Sequence, residues 1–200
     1  TLSLHDALPI SVNSHVVTDP IRVIADRDVI LIDGKPIGMK THRYILLHKP
    51  AGYVTTRSDE QGRKTVYDLL AGVKEWIFPV GRLDMDSEGL LIMTNDNALG
   101  DILTNPEYEI FRTYRVTADG VVTKDDLRAM KRGVDIGRGE TSQPREARIH
   151  KPGEVETVVE VTLTEGKNRE LRRLFEALGK PVKRLIRVSY GPFSLGGLKS

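Results

Sequence analysis

Apolar and polar residues alternate cleanly from 110 to 118. Phe111, Thr113, Arg115 and Thr117 fall on one face, and Arg112, Tyr114, Val116 and Ala118 on the other. A period of two is that of a half-buried strand. Further strands are predicted at 76–80, 89–94, 145–150, 156–164 and 182–190. The mostly apolar run 43–48, ending at Lys49-Pro50, is read as a buried strand. Helical signals are fewer. A Gly- and charge-rich loop, 58–64, leads into a short helix at 65–70, and Asn95 or Asp96 caps a helix to about Leu103 that stops near Asn105-Pro106. Thr123 with Asp126 three residues on forms a capping box that opens a helix to Lys131, closed by Gly133. Asn168 caps an amphipathic helix to Leu178, with Gly179 at its stop; its stripe of Leu171, Leu174, Phe175 and Leu178 must pack on a sheet. Strands predominate and helices are interspersed irregularly, which predicts an α+β fold around a mixed, mostly antiparallel sheet.

The N-terminal region behaves differently. Residues 1–11 carry no periodicity, have no basic start, and resemble the translation of a common sequencing adapter, so they are read as an unstructured or artefactual leader. Residues 12–40 form a short β-type segment, with Asp28-Val29-Ile30-Leu31-Ile32-Asp33 running into the turn Gly34-Lys35-Pro36. A main domain is expected over 41–200.

Composition adds exclusions. At 39% hydrophobic and 29% charged, 200 residues suffice for a real core. With no cysteine there is no disulfide framework, thiolate chemistry or cysteine-ligated metal. No apolar run is long enough for a membrane span. The net charge of +2 conceals a segregation: 83–109 holds seven acidic residues and no Lys or Arg, whereas 166–200 holds nine basic residues against Glu170 and Glu176. That asymmetry points to a polyanion footprint near the C-terminus.

The chemistry-bearing stretch is Pro79 to Leu91, an acidic turn between two strands with a glycine on either side of Arg82-Leu83-Asp84. Asp84, Asp86 and Glu88 could converge on a divalent cation if extended, but Ser87 and Gly89 favour a turn that fans them apart. Asp84 could equally be a turn carboxylate paired with Arg82. Tyr114 is either a satisfied core tyrosine or a platform for an extruded base. Arg169, Arg172 and Arg173 crowd the start of a helix, where the dipole disfavours cations, and a phosphate ligand accounts for them better than helix stability does. The five histidines show no metal-ligand spacing.

Five blocks together resemble a pseudouridine synthase of the RsuA/RluB type. They are His48-Lys49-Pro50-Ala51-Gly52 with Gly62-Arg63-Lys64-Thr65-Val66; Gly81-Arg82-Leu83-Asp84 through Thr94-Asn95-Asp96; Arg112-Thr113-Tyr114-Arg115-Val116; Glu165 through Arg173; and Arg184-Leu185-Ile186-Arg187-Val188 with Gly191-Pro192-Phe193. The resemblance implies a long mixed sheet with flanking helices and a central cleft. Segment 12–40 is similar to the tail of an S4-type RNA-binding domain, whose opening helices are not in this sequence, so the chain is expected to start partway through it. The resemblance further implies that Asp84 is the essential aspartate, Tyr114 the active-site tyrosine, Arg172 the cation paired with the aspartate, Arg82 the residue that fills the vacated base position, and Leu185 a pocket residue. Lys167, Arg169, Arg173, Lys183 and Arg184 are expected to bind RNA phosphates. The implied activity is isomerisation of uridine in ribosomal RNA, most readily of the large subunit, by a cytoplasmic monomer without metal or cofactor. A small-subunit rRNA synthase, a non-catalytic ribosome-assembly factor and a metal-dependent hydrolase remain as alternatives.

Overall fold

The computed structural model describes residues 9–19, 21–25, 27–37 and 41–199. The chain divides into two compact units, Thr1–Thr41 and His42–Ser200. In the first, β1 (Ile10–Val12), β2 (His15–Val17), β3 (Ile30–Ile32) and β4 (Lys35–Pro36) make a small sheet in the order β2-β1-β3-β4. Two tight hairpins build it. Asn13 and Ser14 turn β1 into β2, and Asp33 and Gly34 turn β3 into β4, all four with positive φ. The amide of Asn13 cross-braces the unit, donating to Asp28 and accepting from the Val29 N–H at 2.9 Å each. Ile10 and Ser11 are therefore strand residues rather than part of a structureless leader; the remainder of that leader, 1–8, lies outside the described residues, as do 38–40 of the predicted β segment.

The second unit is α+β. Its main sheet runs β11 (Glu146–Lys151), β12 (Glu156–Leu163), β8 (Arg112–Asp119), β13 (Val182–Tyr190), β7 (Glu88–Thr94) and β5 (Tyr44–Lys49), with β6 (Phe78–Val80) also on β7 and β14 (Phe193–Ser194) on β13. Pairing is antiparallel except between β7 and β13, which run parallel over Ile186↔Glu88 and Arg187↔Gly89. β7 lies inside the sheet between β13 and β5, and is apolar at every position from Leu90 to Met93 because both of its faces are covered. Leu91 and Met93 join Val66, Ile77 and Leu83 in one cluster, while Leu90 and Ile92 join Val80, Leu103 and Tyr190 in another. A third cluster packs β8, β12 and β13 against α2 (Lys124–Arg132) and α3 (Glu170–Ala177).

Local signals explain most elements. Helix α1 (Asn97–Thr104) is capped by Asp96, whose carboxylate accepts the Leu99 N–H, and α2 opens on the Thr123/Asp126 capping box. Three expectations are corrected. The 43–48 run is a half-exposed outer strand, with Tyr44 54% exposed, because β5 has a main-sheet neighbour on one side only. The turn at 65–70 is a short 3-10 helix, Val66–Leu69, although Thr65 and Asp68 do cap it. Helix α3 begins after Arg169, in a left-handed conformation (φ 48°), and no side chain caps it; Asn168 is not its N-cap. The small hairpin β9 (Val134–Asp135) and β10 (Thr141–Ser142) and the 3-10 turn Pro106–Tyr108 carried no periodic signal long enough to predict them.

Candidate active site

The loop between β6 and β7, residues 81–87, leaves one strand and returns in the neighbouring one. Gly81 starts it with φ 72°, and Gly89, the second residue of β7, has φ 106°. A side chain at Gly89 would place Cβ 2.3 Å from the Arg187 carbonyl oxygen, so β7 can meet β13 only with glycine there. Within the loop the Ser87 N–H donates to the Asp84 carbonyl at 3.0 Å.

Three groups fix this loop from below. Lys49, fully buried at the end of β5, donates from Nζ to the carbonyls of Ser87 (2.6 Å), Asp84 (3.0 Å) and Pro50 (3.0 Å), with Met85 at 3.4 Å. Burial pulls its pKa down to about 8, against the opposing pull of Asp86, Asp84 and Glu88. The Thr55 hydroxyl donates to the Leu83 carbonyl (2.7 Å) and accepts the Leu83 N–H (3.2 Å). The Gly52 N–H donates to the Met85 carbonyl at 2.7 Å. With its backbone so tied, Leu83 points into the core and Asp84 is left half-exposed above it.

A cleft of about 370 Å³ opens over Asp84, and it gathers Arg82, Asp84, Tyr114, Lys167, Arg169 and Leu185. These are residues named from sequence, brought together from four separate segments. Tyr114 packs against two of the core clusters, and its hydroxyl makes no hydrogen bond among the described residues. Arg82 is exposed and forms no ion pair among the described residues. Arg172, Arg173, Lys183 and Arg184 do not line this cleft.

The charge pairing differs from expectation. The cation at Asp84 is Arg169, at 3.5 Å, an ion-pair distance too long for a good hydrogen bond. Arg172 instead donates to the Asp86 carbonyl oxygen at 2.9 Å, lies 3.3 Å from its carboxylate and 3.4 Å from the Ser87 hydroxyl. Burial works against the charged form of Arg172. Burial also works to raise the Asp86 pKa, but the hydrogen bond from Arg169 and the Arg172 charge outweigh it and hold the carboxylate below its ordinary range. Asp86 is thus a bridge from loop to helix α3, more than a turn residue.

The five cations expected to face phosphates all have partners in the protein. Lys167 pairs with Glu165 and donates to the Thr141 carbonyl at 2.7 Å. Arg169 holds Asp86 at 3.2 Å, and Lys183 holds Asp119 at 2.9 Å. Arg173 pairs with Glu140 (2.6 Å) and donates to the carbonyls of Ile136, Gly137 and Asn168. Arg184 makes a bidentate pair with Glu88 at 2.8 Å, which keeps that carboxyl below its ordinary range. The segregation of charge along the chain is therefore largely cancelled in space. Arg169 reaches both Asp84 and Asp86 while Glu88 faces Arg184, and among the described residues no group of three His, Cys, Asp or Glu side chains could hold a metal ion.

Lys49, Thr55 and Glu170 were not among the candidates. Glu170, buried at the start of α3, accepts the Ser142 hydroxyl (2.7 Å) and the Lys167 N–H (3.0 Å), and desolvation raises its pKa despite both bonds. A lysine closing an apolar run before a proline, and a glutamate on the apolar side of a helix, were the available signals.

Comparison with known proteins places this geometry. The family model for RNA pseudouridylate synthase matches residues 43–177. A protein of Aquifex aeolicus named as an uncharacterized RNA pseudouridine synthase is 38% identical over 192 residues, covering 94% of this chain and 76% of that protein. The ribosomal large subunit pseudouridine synthase B of Bacillus subtilis is 35% identical over 190 residues, with 94% and 78% covered. A solved pseudouridylate synthase superposes with a TM-score of 0.67 at 28% identity, over 94% of this chain and 80% of the other.

Proposed function

The chain belongs to the RNA pseudouridylate synthase family, and from that premise we propose that it isomerises uridine in large-subunit ribosomal RNA with Asp84 as the reacting carboxylate. The observation that carries this reading is the cleft itself. One carboxylate on a clamped loop, an exposed arginine beside it, a tyrosine and an apolar wall at Leu185 line one space. The similarity to the Bacillus large-subunit enzyme supports the choice of RNA.

The reaction breaks the bond from uracil N1 to ribose C1′ and makes one from C5 to C1′; the C5 proton leaves and N1 gains one, with no net oxidation. A carboxylate can serve it as nucleophile at the sugar or as base in a glycal route. The fixed backbone of 81–87 holds Asp84 so that little reorganisation is needed at the reacting carbon. The base must leave its stack to reach the cleft, and Tyr114 with Leu185 gives it a surface to lie against. Arg82, exposed and without an ion pair among the described residues, is placed to enter the space the base leaves. Arg172 acts on Asp84 through the loop, by holding Asp86 and Ser87, rather than by contact. Segment 12–40 would add RNA contacts of its own. In this reading the chain is a cytoplasmic monomer; no helix among the described residues is long and apolar enough to cross a membrane.

Asp84→Asn tests the assignment. Tritium release from rRNA labelled at uridine C5 is expected to vanish while RNA binding stays within about threefold, since one uncharged isostere alters little of the contact area. Retained turnover would overturn it.

A further inference from the structure

A second cleft, of about 530 Å³, lies on the other side of the Arg82–Asp84 segment. It shares Arg82, Leu83, Asp84 and Arg169 with the first. Its remaining wall is the loop from Val54 to Arg63, together with Met85. That loop is built rather than loose. Asp59 accepts the Arg63 N–H at 2.9 Å and the Arg63 guanidinium at 2.6 Å, which pulls the Asp59 carboxyl down to about 2. The Thr56 hydroxyl donates to the Ser58 carbonyl at 2.9 Å. Ser58 and Gln61 line the cleft, and their side chains make no hydrogen bond among the described residues.

We propose that this second cleft is a subsite for the nucleotide adjacent to the target uridine, its base edge read by Gln61 and Ser58; the proposal rests on the uridine-isomerase reading above. Two cavities divided by a partition three residues wide suit a polymer whose successive units are joined by one phosphodiester. With the target base in the first cleft, its neighbour on the strand crosses the partition at Arg82. The charges lining the second cleft nearly balance, with Arg63, Arg82 and Arg169 against Asp59, Glu60 and Asp84, so a phosphate cluster is not what it fits. A side-chain amide and a hydroxyl supply donors and acceptors of both kinds, which suits an unstacked base presenting its edge. The loop's internal clamp fixes the backbone that carries these groups before RNA arrives, which lowers the ordering cost of reading a neighbour there. The subsite would thus select sequence context, while the first cleft selects uridine.

The test first uses unmodified large-subunit rRNA labelled at uridine C5, with the modified position mapped. Oligonucleotides spanning that position are then made with an abasic residue 5′ or 3′ of the target. For the unaltered protein, one of the two abasic RNAs is expected to lose about tenfold in kcat/KM, the scale of one or two lost hydrogen bonds. With Gln61→Ala, or Ser58→Ala, the same abasic replacement is expected to cost about threefold or less, because the reader is already gone. Both side chains are exposed, so neither variant endangers the fold. Equal losses in variant and unaltered protein, or no loss with either abasic RNA, would overturn the subsite. If no tritium is released from any rRNA in the first arm, the isomerase reading has failed, and the subsite falls with it.

Discussion

The two walls of the first cleft are held by buried charges of opposite sign. On the Asp84 side, Lys49 collects carbonyl oxygens of 81–87, all negative ends of peptide dipoles. On the α3 side, Glu170 collects the Lys167 N–H and the Ser142 hydroxyl, which are positive ends. Each buried ion is matched to the dipoles its loop presents, and each has its pKa moved toward neutrality by desolvation. The walls differ in exposure to failure. Lys49 serves four carbonyls and has no acid in direct contact among the described residues, whereas Glu170 serves two donors. Positional control over Asp84 therefore comes mainly from a cation outside the cleft.

Removing that cation should have the largest effect. Lys49→Met keeps the volume and relieves a desolvated charge, but it strands the carbonyls of Pro50 and Ser87 and leaves that of Asp84 with the Ser87 N–H alone. Stranded acceptors outweigh the relief, so the expected loss is about 2–4 kcal/mol of stability, seen by denaturant unfolding, with little turnover left. If the variant matches the parent in both, the loop is held by something else. Arg172→Ala comes next. It cuts the tie from α3 to Asp86 and Ser87 without touching Asp84, so kcat is expected to fall about tenfold or more at saturating RNA while KM changes less. A defect confined to KM would mean that Arg172 binds RNA instead. Glu170→Gln should matter least. The amide oxygen can still accept the Lys167 N–H, and its NH2 can donate to Ser142. Stability near neutral pH is expected to stay level or rise by about 1 kcal/mol. A loss above 2 kcal/mol would show that the negative charge itself is required.

The same two groups give opposite slopes with pH. The folded-state pKa of Lys49 is depressed, from 10.5 to about 8, so between those values the unfolded chain holds a proton that the folded chain has released. Stability relative to Lys49→Met is expected to rise with pH across that window and to sink as pH falls through 8. The Glu170 pKa is raised above 4.5, so its contribution is full below 4.5 and is lost as pH climbs through the folded value; Glu170→Gln should flatten that fall. Melting temperatures of parent and variants across pH 4 to 11 would show both slopes.

Short-range patterns were legible in the sequence. The alternation in β8, the Thr123/Asp126 box and the apolar stripe of α3 are all settled within a few residues, and the structure has them. Pairing was not. Arg184 finds Glu88 from 96 residues away, and Arg172 finds Asp86 from 86 away. A run of like charge along the chain says nothing of which opposite charges the fold will bring beside it. Segregation by sequence thus read as a phosphate footprint where the structure has internal ion pairs. Arg169, which stands in left-handed backbone just before α3, took the place expected for Arg172, whose guanidinium is held by Asp86 instead. Lys49 passed unnoticed because a lysine ending an apolar strand looks like a solvent-facing terminus until the loop it must satisfy is in view.

The parallel seam between β7 and β13 spans two registered pairs, whereas β12 and β8 share eight. Among the described residues it is the only ladder that joins the part of the sheet carrying Asp84 to the part carrying Tyr114 and Leu185. In mechanical terms the domain is two plates joined by a short weld, and the cleft is the gap above it. The weld exists because residue 89 has no side chain to hold the plates apart. A single methyl group there, well away from the reacting carboxylate, would act as a wedge on the whole cleft.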